Sequence, residues 1–229
     1  MFIPLYDGVA LKYLKAPYAT YAIIGLNCFI YVALWLGLLG DQARLDTEFG
    51  VIPAVLTHRA YLDPELAVIP TNLTIFTSMF LHAGWLHLFG NMIFLWVFAD
   101  NVEDAMGSLR FIVFYLACGL AGALVYTLML PNSDAPLIGA SGAISGVVAA
   151  YLILYPRVHV FGLVFDWLPL SLPAVYCVGA WVALQIGGAL FGGSPEVGWW
   201  AHVGGIAAGI TLTPLFKRWS VPLFSRQTG

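Results

Sequence analysis

Long apolar runs, separated by short stretches that hold nearly all the charge, restrict this chain more than any other feature. Thr20–Gly40 is a run of 21 residues broken only by Asn27, long enough to cross a hydrocarbon core of about 30 Å. Similar runs cover about 85–99, 111–130, 141–155, 172–191 and 199–216. Only 9% of the residues are charged and 61% are hydrophobic, whereas a soluble domain carries about a quarter charged residues. The expectation is an all-α polytopic membrane protein, a bundle of six transmembrane helices forming one domain over 1–229.

The connections are short except for 41–70. That stretch holds Asp41, Arg44, Asp46, Glu48, Arg59, Asp63 and Glu65 with three prolines, and it reads as a water-facing loop with room for a short amphipathic helix. Val158–Ser171, with Asp166, Trp167 and Pro169, reads as a loop leading into the fifth run. The N-terminus has no charged start, short apolar core and cleavage site, so no removable signal peptide is expected. The net charge of -3 gives no reason to expect nucleic acid as a partner. Cys28, Cys118 and Cys177 lie inside apolar runs, where they act as small hydrophobes rather than as disulfide or metal ligands.

Six spans put both termini on one side. With the termini inside, the inner segments carry Lys12, Lys15, Arg110, Arg157, Lys217, Arg218 and Arg226, and the outer ones only Arg44 and Arg59. Seven against two satisfies the positive-inside rule. The second, fourth and sixth spans then all run inward, so His87, Asn91, Ser141 and His202 sit at comparable depth near the outer ends of three helices. The fourth span is short and recessed. Ser141–Tyr155 is 15 residues, roughly 22 Å of helix, which leaves Ser141 on the order of 8 Å below the outer edge of the hydrocarbon if Arg157 anchors the inner end.

A serine at that depth, in the setting Gly139-Ala140-Ser141-Gly142, has a plain explanation in close helix packing. Gly142-x3-Gly146 and Gly205-x3-Gly209 are spaced for such a seam. They are equally what would bring a fourth-span serine to a sixth-span histidine. His87 and Asn91, four apart, project from one helical face and can converge on one oxygen, the task of an oxyanion hole. His82 is out of phase with that face and suits a structural role, holding nearby backbone. No acidic residue falls inside an expected span, so the chemistry expected is a dyad, with His202 taking the Ser141 proton.

With these residues in place the sequence resembles the rhomboid intramembrane serine proteases. The motifs that carry the resemblance are His82-x4-His87-x3-Asn91, Gly139-Ala140-Ser141-Gly142 and Ala201-His202-x2-Gly205-x3-Gly209, in that order on the second, fourth and sixth spans. Asp100-Asn101-Val102-Glu103-Asp104 is a further likeness. The resemblance implies Ser141 as nucleophile, His202 as base, and His87, Asn91 and the backbone N–H of Ser141, with that of Ala140, as oxyanion donors. Gly139, Gly142, Gly205, Gly209 and His82 would be structural near the site. It also implies hydrolysis of peptide bonds in or next to transmembrane segments, single-span or other membrane proteins as substrates, membrane lipid as the surroundings, and no metal or cofactor. A bare six-span core suits a prokaryotic inner membrane, with cytoplasmic termini and a site open to the outside.

Two positions depart from the family pattern. Some relatives carry an aromatic four residues after the nucleophile, stacked on the histidine, where this chain has Ser145. The Trp-Arg pair of the first outer loop is missing from 41–70. Two other readings compete with the protease. A rhomboid-like pseudoenzyme would bind transmembrane segments without cutting them, although such proteins lose the serine or histidine that this chain keeps. A small transporter would be expected to show inverted repeats or membrane-embedded carboxylates, and none is visible.

Overall fold

The apolar runs fold as helices, and their ends are set by glycine, proline and buried acids rather than by charge alone. In the computed structural model, which describes residues 2–164, 167–194 and 196–225, six long helices make up the body. They are α1 (Tyr18–Trp35), α5 (Trp85–Met106), α6 (Ser108–Met129), α7 (Ser141–Leu154), α8 (Ala174–Phe191) and α9 (Trp199–Phe216). Asp166 and Arg226, counted above among the loop charges, lie outside the described residues. The stretch 41–70 contains α2 (Gln42–Phe49), whose N-terminus is capped by the Asp41 carboxylate accepting from Arg44 N–H at 3.0 Å, and the single turn α3 (Pro53–Leu56). A broken helical segment, Thr71–Phe80, includes the turn α4 (Thr74–Thr77) and leads into α5.

α1, α6 and α8 are each long and apolar enough to cross a membrane, and Thr71–Phe80 with α5, bent by 82°, would make a fourth span. α7 has only 14 residues, roughly 21 Å. α9 has His202, two threonines and Pro214 in its length, which lowers its hydropathy. The chain is thus an integral membrane protein of helical, polytopic class. α7 sits at the centre: its buried residues run almost without interruption from Gly142 to Tyr151, packed between α5, α6 and α9. α8 lies at the margin, with only Ala174, Cys177, Val178 and Gln185 buried.

Two expectations change. The 158–171 connection is not a loop throughout, because β2 (His159–Val164) and β3 (Leu168–Pro173) form a three-stranded antiparallel sheet with β1 (Phe2–Tyr6), in the lead-in before α1. β2 is the central strand, and its Val and Phe residues suit a pleated surface. The prolines of that connection, Pro169 and Pro173, fall on the edge strand β3, as Pro4 does on β1, where a missing N–H is tolerated. β3 also takes up Leu172 and Pro173, so the fifth helix begins at Ala174 rather than Leu172.

The second difference is in α5, which does not stop at Ala99 but runs on to Met106. Its acids are therefore inside a helix, and they are buried: Glu103 is 0% exposed and Asp104 3%. Each is satisfied by backbone donors from the N-terminal segment. Glu103 accepts from Ala19 N–H (3.0 Å) and Thr20 N–H (2.8 Å), serving the first turn of α1, which its own residue Pro17 does not cap. Asp104 accepts from Lys12, Tyr13 and Leu14 N–H at 2.8, 2.8 and 2.7 Å. Asp7, after β1, accepts from Tyr151 Oη (2.7 Å) and Asn101 Nδ2 (2.8 Å). Burial pushes its carboxyl above the usual carboxylate range, and these hydrogen bonds oppose the shift. The acidic end of α5 is thus a fastening for the lead-in.

Because three backbone donors depend on one carboxylate, Asp104→Ala should destabilise the protein by about 2–4 kcal/mol. The expected readout is a lower thermal midpoint in detergent together with faster tryptic cleavage after Lys12 and Lys15. Unchanged cleavage would mean that the lead-in is held by other contacts.

Candidate active site

The site is assembled where α7 meets α9, at a contact that only glycine permits. A Cβ on Gly205 would run into the carbonyl oxygen of Gly142, and one on Gly209 into that of Gly146. The two helices therefore meet backbone to backbone, which brings the first residue of α7 beside the fourth of α9. α6 joins the same contact through Gly122, where a Cβ would lie against the Ala201 carbonyl and close to Gly142 Cα. With α7 held this closely, Ser141 Oγ lies 2.8 Å from His202 Nε2. His202 is 8% exposed.

His87 and Asn91 come from the first two turns of α5, and both reach Gly139. A Cβ at Gly139 would overlap His87 Cε1 and Nε2 and stand 3.8 Å from Asn91 Nδ2. Gly139 also has φ +115°, a backbone region that side chains rarely adopt, and its N–H donates to the Ser78 carbonyl at 2.9 Å. Glycine is required there twice over, by conformation and by space. Ala83 N–H approaches His87 Nδ1 at 3.4 Å, which makes Nδ1 the acceptor and leaves Nε2–H directed toward Gly139. Asn91 Nδ2 is buried and has no hydrogen-bond partner among the described residues. Two side-chain donors therefore stand beside the loop that delivers Ser141.

Ala140 is fully buried and is the last residue before α7, so its N–H and that of Ser141 belong to the unpaired donors of a helix start. His82 lies in the break before α5, completely buried, with its ring edge-on to that of His87 at 5.0 Å. Ser145 turns to its own helix, donating to the Ser141 carbonyl at 2.7 Å, and gives His202 no support. That support comes from residues the sequence did not single out. Gln185 Oε1 lies 2.8 Å from His202 Nδ1. Trp181, one turn earlier on α8, stacks on the imidazole at 6.5 Å with an interplanar angle of 30°.

Trp199 packs against α8. Its ring fills the space that a Cβ on Gly188 or Gly193 would need, and its edge faces His202 at 6.3 Å. A signal for Gln185 was present, since it is the single amide in the apolar run 172–191 and a polar residue in a membrane helix seeks a partner. Its partner could not be read without knowing how α8 is rotated.

Residues 71–219 match the family model described as Rhomboid domain. The mitochondrial rhomboid protein 1 of Saccharomyces cerevisiae is 31% identical over 152 residues, covering 61% of this chain and 40% of that protein. Rhomboid protease GluP of Bacillus subtilis is 40% identical over 78 residues, 34% of this chain and 15% of that one. Inactive rhomboid protein 1 of Drosophila melanogaster is 35% identical over 85 residues, 37% of this chain and 6% of that one. This chain thus spans less than half the length of each of these three relatives.

The glycine contact makes a quantitative prediction. Gly205→Ala places one methyl against the Gly142 carbonyl, and should cost about 1–3 kcal/mol of stability, read as a lower thermal midpoint in detergent. Ala at a position with room would change it little, so a midpoint equal to wild type would mean that α7 and α9 are not held this closely.

Proposed function

The chain belongs to the rhomboid family, and from that premise we propose that it is an intramembrane serine endopeptidase working through Ser141 and His202. The observation that carries the proposal is the 2.8 Å contact between Ser141 Oγ and His202 Nε2, made by side chains on two helices 61 residues apart in sequence. In this reading Ser141 Oγ attacks the scissile carbonyl carbon as His202 Nε2 takes its proton. The resulting oxyanion is met by His87 Nε2–H, Asn91 Nδ2–H and the backbone N–H of Ser141, with that of Ala140 alongside. The protonated His202 then gives its proton to the leaving amine, and water releases the acyl group by the same steps in reverse.

The substrates proposed are membrane proteins with transmembrane segments, cut within or beside the segment. The positive-inside count of seven to two supports six spans in one domain with both termini cytoplasmic and the site facing the opposite side. The short α7 would then hold Ser141 below the membrane surface, among protein groups that satisfy its backbone. No metal or cofactor enters the proposed reaction. The inactive relative keeps a second reading alive, a protein that binds transmembrane segments without cutting them, but the juxtaposed Ser141 and His202 favour cleavage.

Purified protein in liposomes with a single-span substrate is the direct test. Ser141→Ala and His202→Ala should each abolish cleavage, and a fluorophosphonate should label wild type but not Ser141→Ala. Cleavage surviving in both variants would overturn the dyad, and no cleavage or labelling of wild type would favour the binding protein. Asn91→Ala should slow turnover by less than the roughly 10²–10³ that loss of one oxyanion donor costs in a soluble serine protease, because His87 and the backbone donors remain. Full single-turnover activity in Asn91→Ala would remove it from the oxyanion site.

A further inference from the structure

We propose that Gln185 is a positioning residue that fixes the tautomer of His202, in a Ser141–His202–Gln185 relay across α7, α9 and α8. The proposal rests on the reading of Ser141 as nucleophile and His202 as base. A neutral imidazole carries one proton on one of two nitrogens, and only the form protonated on Nδ1 leaves Nε2 free to accept from Ser141. Something must therefore hold a proton on Nδ1. Across a 2.8 Å contact that nitrogen faces Gln185 Oε1, an atom that accepts and cannot donate.

The amide could in principle be turned over, presenting its NH2 group and favouring the wrong tautomer. A second hydrogen bond opposes this. Gln185 Nε2 donates to the Trp181 carbonyl one turn back, at 3.3 Å, a partner that would be lost on turning, since a carbonyl oxygen cannot donate. Backbone geometry on α8 thus orients the amide, the amide orients the imidazole, and the imidazole presents Nε2 to Ser141. Trp181 takes part twice, through its carbonyl and through the ring that stacks on His202.

Burial makes the contact matter. Gln185 and His202 are 7% and 8% exposed, so water offers the imidazole no ready alternative partner, and a hydrogen bond in such surroundings is strengthened. When His202 takes the Ser141 proton, its Nδ1–H becomes part of a cation and its bond to Gln185 becomes charge-assisted. A neutral oxygen does this without the cost of burying a carboxylate, which accounts for a site with no acid on His202 among the described residues. Beyond Val178, Gln185 is the single buried residue of α8. A glutamine buried on a helix that otherwise buries only Ala174, Cys177 and Val178, with its oxygen on the imidazole, has its role written in that contact.

A merely structural glutamine would tie α8 to α9 and nothing more, and steady-state kinetics separate the two roles. The variants Gln185→Met, which keeps the length but removes the acceptor, and Gln185→Glu, which restores one, are compared on the full chain in detergent with a single-span substrate. We expect Gln185→Met to lower kcat by about 10–100-fold, less than the roughly 10⁴ seen when a serine protease is held in the wrong tautomer, because removing the acceptor leaves both tautomers accessible. KM and the thermal midpoint should stay close to wild type, and Gln185→Glu should recover most of kcat.

Wild-type kcat in folded Gln185→Met, a loss confined to KM, or no recovery in Gln185→Glu would overturn the proposal. Should Gln185→Met fail to fold, Gln185→Glu decides alone: kcat within tenfold of wild type supports the relay, and a larger loss in folded protein overturns it. Ser141→Ala run in parallel keeps the two failures apart. Cleavage by Ser141→Ala would sink the nucleophile itself, whereas an inactive Ser141→Ala beside a fully active Gln185→Met would sink only the role of Gln185.

Discussion

The contact between α7 and α9 is the constraint on which the rest depends. Two helices with side chains at the contact normally stand 8–10 Å apart, whereas backbone-to-backbone contact here draws together the helices that carry Ser141 and His202. Glycines 142, 146, 205 and 209 remove the side chains, so that carbonyl oxygens of one helix lie against the Cα atoms of the other. Lipid gives no hydrophobic reason for apolar helices to associate, so such contacts rest on van der Waals packing and on the small residues that permit it. α6 completes the arrangement by offering Gly122 to the same point. The packing and the proposed chemistry thus rest on one contact, because the glycines that seat α7 on α9 also bring Ser141 to His202.

Around this rigid centre the structure grades outward. α7 is buried along almost its whole length, whereas α8 buries four residues of its 18. The acidic end of α5 supplies firmness of a different kind, because Glu103 and Asp104 answer backbone donors from the lead-in and the start of α1. A carboxylate accepting several N–H groups is a strong fastening in low-dielectric surroundings. The sheet that β1 makes with the β2–β3 hairpin joins that lead-in to the connection between α7 and α8. Both ends of the central helix are thus built into the surrounding frame.

What was legible in the sequence follows from period and length. Apolar runs bounded by charge marked every long helix, and the start of α7 at Ser141 and of α9 at Trp199 could be read directly. The spacing of His87 and Asn91 put them on one face, and the glycine repeats predicted which helices touch. The misreadings have specific causes. Pro169 and Pro173 look like loop residues until their strand turns out to be an edge. Asp100, Glu103 and Asp104 look like the end of a helix until partners from residues 12–20 neutralise the penalty of burying two of them within it.

A chain this apolar, with charge confined between its runs, determined by itself that it would be a membrane-embedded helical bundle, since hydrocarbon tolerates little else. Its glycines and its polar residues at helical spacing also determined which side chains could meet. How the imidazole of His202 is oriented was decided only by the tertiary structure. Orientation depends on the rotation of α8 about its own axis, and the apolar pattern of a helix buried on one narrow strip does not specify that rotation. Only the packed structure turns Gln185 inward, sets its oxygen on Nδ1, and leaves the other nitrogen to Ser141.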